Sequence, residues 1–186
     1  MFFIFKESVA GFFAVSSAFL TFCERKMSIE LVNVGVAQLK LGNNPQVLRT
    51  ILGSCVGICI YDRNKKIGGL AHILLPESTD RNTPEKFANT AIPLLVDQLL
   101  KQGCNRDFMS AKIAGGAAMF KFTPGNVLGQ IGDRNIEAAR AALAAKKIPI
   151  LCEDVGGNLG RVIDFFLADG HLKVKAGQKE QIFYKV

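Results

Sequence analysis

Apolar and polar residues alternate from Ile29 to Leu41 (IELVNVGVAQLKL), the two-residue period of a half-buried strand or of a strand pair broken around Gly35. Gly42-Asn43-Asn44-Pro45 reads as a turn. Three β-rich runs follow: VLRTIL at 47–52, CVGICIYD at 55–62 and IGGLAHILLP at 67–76. They are parted by Gly53-Ser54 and by the charged turn DRNKK. From 82 to 103 the pattern predicts a helix. Thr83 is placed as its N-cap, Pro84 at its first position, Glu85 at the positive end of the dipole and Gly103 at its stop. Pro93 inside this segment predicts a kink or a break.

The run SAKIAGGAAMFKF (110–122) returns to a strand interrupted by two glycines, and 131–147 is an Ala-rich helix with Ile136, Ala139, Leu143 and Ala144 on its apolar stripe. IPILCEDVGG (148–157) reads as a buried strand. RVIDFFLADGHLKVK (161–175) reads as a hairpin turning at Asp169-Gly170, and no pattern dominates the tail beyond it. Helices fall between runs of strands, which predicts a mixed sheet covered by helices, an α/β sandwich.

The first 27 residues stand apart: Phe-rich and apolar, interrupted by Lys6 and Glu7 and closed by Glu24-Arg25-Lys26. The uncharged stretch, about 16 residues, is shorter than the roughly 20 a spanning helix needs. The part ahead of it is a weak signal-peptide n-region. Membrane anchor, degenerate signal and translated upstream sequence before a start at Met27 are the three readings, and the last is favoured. Residues 28–186 are then one domain, with no stable membrane insertion expected.

Composition narrows the rest. With 49% hydrophobic residues and 18 glycines among 186 residues, the chain suits one compact, turn-rich domain. The net charge of +7 permits an anionic partner, but the basic residues are scattered with no run interleaved with aromatics, so nucleic acid is not expected. Five cysteines, odd in number and without a CxxC pair, suggest reduced thiols in a cytoplasmic protein rather than a disulfide framework.

The chemistry turns on Cys55. On a strand, Cys55 and Cys59 lie roughly 13 Å apart, too far to share a metal, and two histidines supply few further ligands. No metal or other cofactor is expected. A small core residue is the default for a cysteine, and it suits Cys59, Cys104 and Cys152. Cys55 instead follows Gly53-Ser54, a tight turn whose amides can face an anion, which predicts a depressed thiol pKa and donors for an oxyanion. A nucleophilic thiol needs a base. If DRNKK joins adjacent antiparallel strands, His72 returns beside Cys55, whereas His171 follows a turn. From the residues alone, nucleophile and core residue both remain open.

In order, TILGSCVGICIYD, KIGGLAHILLP, NTAIPLLVDQL, KIAGGAAMF, IGDRNIEAAR and IPILCEDVGGNLGR resemble the chemoreceptor glutamine deamidase family CheD, from about Met27 to about Lys175. The resemblance implies a three-layer α/β/α sandwich with a mixed, largely antiparallel sheet. It implies a protein-glutamine glutaminase that converts glutamines of methyl-accepting chemotaxis receptors to glutamate. The implied catalytic set is Cys55, His72 and Thr50, with Gly53 and Ser54 forming the oxyanion turn. The alternative it carries is a regulatory module that partners the CheC phosphatase. Many relatives have one residue more between the threonine and Gly-Ser-Cys, and a one-residue slip in a strand turns a side chain to the other face.

Overall fold

The alternating segment at 29–41 divides at Gly35, as the two-residue period suggests, into β1 (Leu31–Asn33) and β2 (Gln38–Asn43). In the computed structural model, which describes residues 29–78, 82–119 and 130–184, eight more strands follow. They are β3 (Val47–Leu52), β4 (Val56–Asp62), β5 (Ile67–Ile73), β6 (Met109–Gly115), β7 (Ile150–Val155), β8 (Arg161–Phe166), β9 (Leu172–Ala176) and β10 (Lys179–Phe183). The helices are α1 (Ala88–Lys101) and α2 (Ile131–Ala145). The extension at 1–27 and the Phe120–Phe122 end of the predicted sixth strand lie outside the described residues.

The strands form two five-stranded sheets, ordered β1-β3-β8-β9-β10 and β2-β5-β4-β6-β7. All pairings are antiparallel except β1 with β3 and β6 with β7. The α/β class therefore holds, with sheets that are mixed and largely antiparallel. Two cores identify the layers. On one face of the second sheet Val56, Ile58, Ile60, Ala71, Ile73, Ala111 and Ile113 pack against α1 and α2. On its other face Cys59, Tyr61 and Leu70 meet Leu48, Leu52, Ile163, Phe165 and Val174 of the first sheet. Three layers result, and the one opposite the helices is a sheet rather than the helices of an α/β/α order. Both helices are used on one face, and β3, β8, β9 and β10 pair with one another to cover the other.

Three local readings change. The helix predicted from Pro84 comes in two pieces, a 3-10 turn at Pro84–Lys86 and then α1, because Phe87 adopts an extended φ/ψ of −117°/142°. The break thus falls before Pro93, which α1 contains, and the Thr83 side chain caps nothing. Ala144 is exposed, and the buried stripe of α2 runs instead through Gly132, Asn135, Ile136, Ala139 and Leu143. β7 is half-buried throughout, as an edge strand with β6 as its neighbour should be. The tail forms β10, an exposed edge strand whose polar sequence carries no alternation.

Among the described residues no helix is long and apolar enough to cross a membrane.

Candidate active site

The chain passes from one sheet to the other in three residues. It leaves the first at Leu52, crosses through Gly53-Ser54-Cys55 and enters the second at Val56. Alternation along β3 sends Leu48, Thr50 and Leu52 inward and leaves Ile51 70% exposed. Thr50 is therefore on the inner face. Along β5 the same period puts His72 on the face of Leu70, toward the first sheet. The two side chains meet there, Thr50 being 4% and His72 1% exposed.

Their hydrogen bonds determine the tautomer. Thr50 Oγ1 lies 2.7 Å from the Val34 carbonyl oxygen and 2.7 Å from His72 Nδ1. A carbonyl can only accept, so the one hydroxyl proton goes to Val34, and Oγ1 must accept from Nδ1–H. The imidazole proton is thereby held on Nδ1, and Nε2 keeps its lone pair. Nε2 is buried and has no hydrogen-bond partner among the described residues.

β4 and β5 are antiparallel with Gly57 opposite His72. Cys55 lies two residues before Gly57, half-buried against the inter-sheet core. Diagonal neighbours of this kind are roughly 7–8 Å apart at Cα. A side chain at Gly57 would press on Ile163 and Leu52, so glycine lets the sheets close over this pair. The structure thus brings Thr50 and His72 into contact and sets Cys55 on their face without a hydrogen bond to the ring.

Electrostatics corrects one expectation. Partial burial pushes the Cys55 thiol above its ordinary value, opposed only in part by its own backbone amide, so the turn does not depress it. Burial likewise lowers His72, with the Val34 backbone acting the other way. Desolvation disfavours the charged form of each. Burial therefore favours thiol and neutral imidazole over thiolate and imidazolium.

Three elements the sequence reading passed over hold the crossover in place. Asn135, fully buried in α2, donates from Nδ2 to the carbonyls of Ser54 and Leu74, each at 3.0 Å. An asparagine at the i position of the stripe Asn135, Ala139, Leu143 was the signal that could have found it. Arg161 of β8 reaches across to the second sheet, donating to Gly115 O at 2.6 Å and Gly156 O at 2.7 Å, with Nε 3.0 Å from Asp154. Gly115 has φ +111°, and a Cβ there would collide with the Cys55 carbonyl oxygen. Gly115→Ala is accordingly expected to lose about 2 kcal/mol or more of stability in urea unfolding and to displace Cys55. Unchanged stability would show that this close approach is not required.

Among the described residues no three His, Cys, Asp or Glu side chains gather as metal ligands. Cys59 and Cys104 are core residues, Cys152 is half-buried, and Cys23 lies outside the described residues.

Comparison with known proteins agrees on the family. The model of the CheD family, described as CheD chemotactic sensory transduction, matches residues 74–176, more than half of the chain. Thr50, Cys55 and His72 precede that match. A Clostridium botulinum protein (strain Eklund 17B) named "Probable chemoreceptor glutamine deamidase CheD" is 47% identical over 148 residues, covering 77% of this chain and 91% of that protein. A Clostridium kluyveri protein of the same name is 46% identical over 153 residues, covering 80% and 94%. Among solved structures, that of the Bacillus licheniformis hypothetical protein YfiH matches with a TM-score of 0.42 at 17% identity, over 62% of this chain and 49% of that one. On the family match and the extent of these relatives, the chain belongs to the CheD family.

Proposed function

We propose that this protein hydrolyses the side-chain amide of particular glutamines in methyl-accepting chemotaxis receptors, with Cys55 as nucleophile, His72 as general base and Thr50 as the group that orients the imidazole. The observation that carries the reading is the Val34–Thr50–His72 chain, which leaves Nε2 unprotonated on the face that also bears Cys55. The relatives' name supplies the substrate class.

The reaction follows from the resting protonation states. As Cys55 Sγ attacks the carboxamide carbon, its proton passes to His72 Nε2, and the C–S bond forms while the carbonyl π pair moves onto oxygen. The Ser54 and Cys55 amides are the donors to that oxyanion. Collapse breaks the C–N bond, Nε2 returns the proton to the departing nitrogen, and ammonia leaves a thioester. Water then attacks, giving its proton to Nε2. The C–S bond breaks, glutamate is released and the sulfur is reprotonated. Through each imidazolium stage Nδ1–H stays on Thr50, the orienting role that a carboxylate or amide has in other triads. No bound metal or cofactor enters these steps.

The test is mass spectrometry of a receptor cytoplasmic fragment after incubation with the protein, expecting specific glutamines to become glutamate. No conversion by the parent protein would overturn the assignment. If the chain acts instead as a module that partners CheC, a Cys55→Ala protein would keep its whole role. A cytoplasmic location goes with this substrate.

A further inference from the structure

Three consecutive carbonyls of the crossover are each held from the protein side. Gly53 O accepts from the Ala117 amide at 2.8 Å, Ser54 O from Asn135 Nδ2 at 3.0 Å, and Cys55 O from the Gly116 amide at 2.7 Å. In a trans peptide the N–H points opposite to the C=O of the same unit. The Gly53–Ser54 and Ser54–Cys55 units therefore turn the amides of Ser54 and Cys55 away from α2 and from the 116–117 segment. The Cys55 amide lies against its own sulfur, the atom that would attack.

Two of these three grips are backbone; the middle one is a side chain. It holds the peptide unit that contains the Cys55 amide. Both partners of Asn135 Nδ2 are carbonyls, so the orientation of the carboxamide is fixed, and each of its two protons is committed. The second partner, Leu74 O, lies two residues beyond His72. One amide group thus joins the turn bearing the nucleophile to the residue that follows β5, the strand bearing the base. Asn135 Oδ1 has no partner among the described residues, so the two bonds donated by Nδ2 are the ones that orient the carboxamide. Accepting a hydrogen bond at Ser54 O also polarises that peptide and makes the Cys55 N–H a stronger donor.

We infer that Asn135 is a positioning residue for catalysis: by gripping Ser54 O it aims the Cys55 amide at the oxyanion. This rests on the reading of Cys55 as the nucleophile. An alanine lacks the donors, and an ionised aspartate would set a charge against two carbonyls.

The experiment compares full-length parent, Asn135→Ala and Asn135→Ser on a receptor cytoplasmic fragment. It measures kcat and KM alongside thermal melting and the rate of Cys55 alkylation by iodoacetamide. Alkylation displaces iodide at carbon and develops no oxyanion, so it reports the thiol alone. For Asn135→Ala the expected result is a kcat lower by roughly 10- to 100-fold, with KM and the alkylation rate within about twofold of the parent. Asn135→Ser, which can donate to one carbonyl, is expected to lie between. A kcat within about twofold of the parent overturns the inference. So does a change in alkylation that matches the change in kcat, which would mean that the turn itself had been lost, and so does failure of both variants to fold. Cys55→Ser is run in parallel. If it is as active as the parent, the nucleophile assignment fails; if it is inactive while Asn135→Ala is not impaired, only the role of Asn135 fails.

Discussion

Replacing Cys55 by serine is expected to lower deamidation of a receptor fragment by roughly 10³-fold or more, with a melting temperature close to the parent's. A serine hydroxyl facing a neutral imidazole is a far poorer nucleophile than a thiol from which the same base takes the proton. Cys55 is half-buried at a crossover rather than sealed in the core. The hydroxyl can therefore be solvated, and the stability change should stay within about 1 kcal/mol. Iodoacetamide at limiting dose should label Cys55 before Cys59, which is buried in the inter-sheet core, and before Cys104, whose thiol is pushed up to about 11. Deamidation by the serine variant at the parent rate would return Cys55 to a structural role.

His72→Ala should lower the rate by roughly 10²- to 10⁴-fold, and the pH profile of the parent should show why. His72 must be neutral to accept a proton. Burial lowers its pKa below the ordinary 6.5, so activity should persist below pH 6.5 and fall only as pH passes through the depressed value. The same shift gives a stability dependence. Below 6.5 the unfolded chain binds the proton more readily than the folded one, so stability is present above 6.5 and is lost as pH falls toward and through the folded value. His72→Ala should flatten that acid slope. On the other side, the raised Cys55 thiol should be alkylated slowly at neutral pH and faster above pH 9, its ordinary value. A plateau of fast alkylation at neutral pH would reveal a preformed thiolate–imidazolium pair and contradict the resting state described above.

The period of two in VLRTIL and in IGGLAHI already contained the inward positions of Thr50 and His72. The DRNKK turn implied that β4 and β5 are antiparallel neighbours, but not the register, which sets His72 opposite Gly57 rather than Cys55. Thr50 stays inward despite the shortened TILGSC spacing, because it shares the inner face of β3 with Leu48 and Leu52. Other features had no local signature. Nothing in Gly53-Ser54-Cys55 distinguishes a hairpin from a passage between sheets, and that choice decides which strands make the third layer. The break at Phe87 goes with its bridge to Leu75, formed by Leu75 N donating to Lys86 O and Ala88 N donating to Leu75 O. The sign of the Cys55 shift depends on burial by residues distant in sequence, a larger effect than that of the nearby amide. Asn135 and Arg161 contribute through contacts 81 and 46 residues away.

The passage between sheets also orders events during synthesis. Thr50, Cys55 and His72 emerge from the ribosome early and close together. Yet β3, which carries Thr50, has β8 as its antiparallel neighbour, and Arg161 at the start of β8 ties the first sheet to Gly115 beside the Cys55 carbonyl. The groups that would do the chemistry therefore wait for β8, whose first residue, Arg161, lies 111 residues beyond Thr50 and 89 beyond His72, before they are held together. A nascent or truncated chain ending before β8 carries every one of them and lacks the sheet that sets them in register.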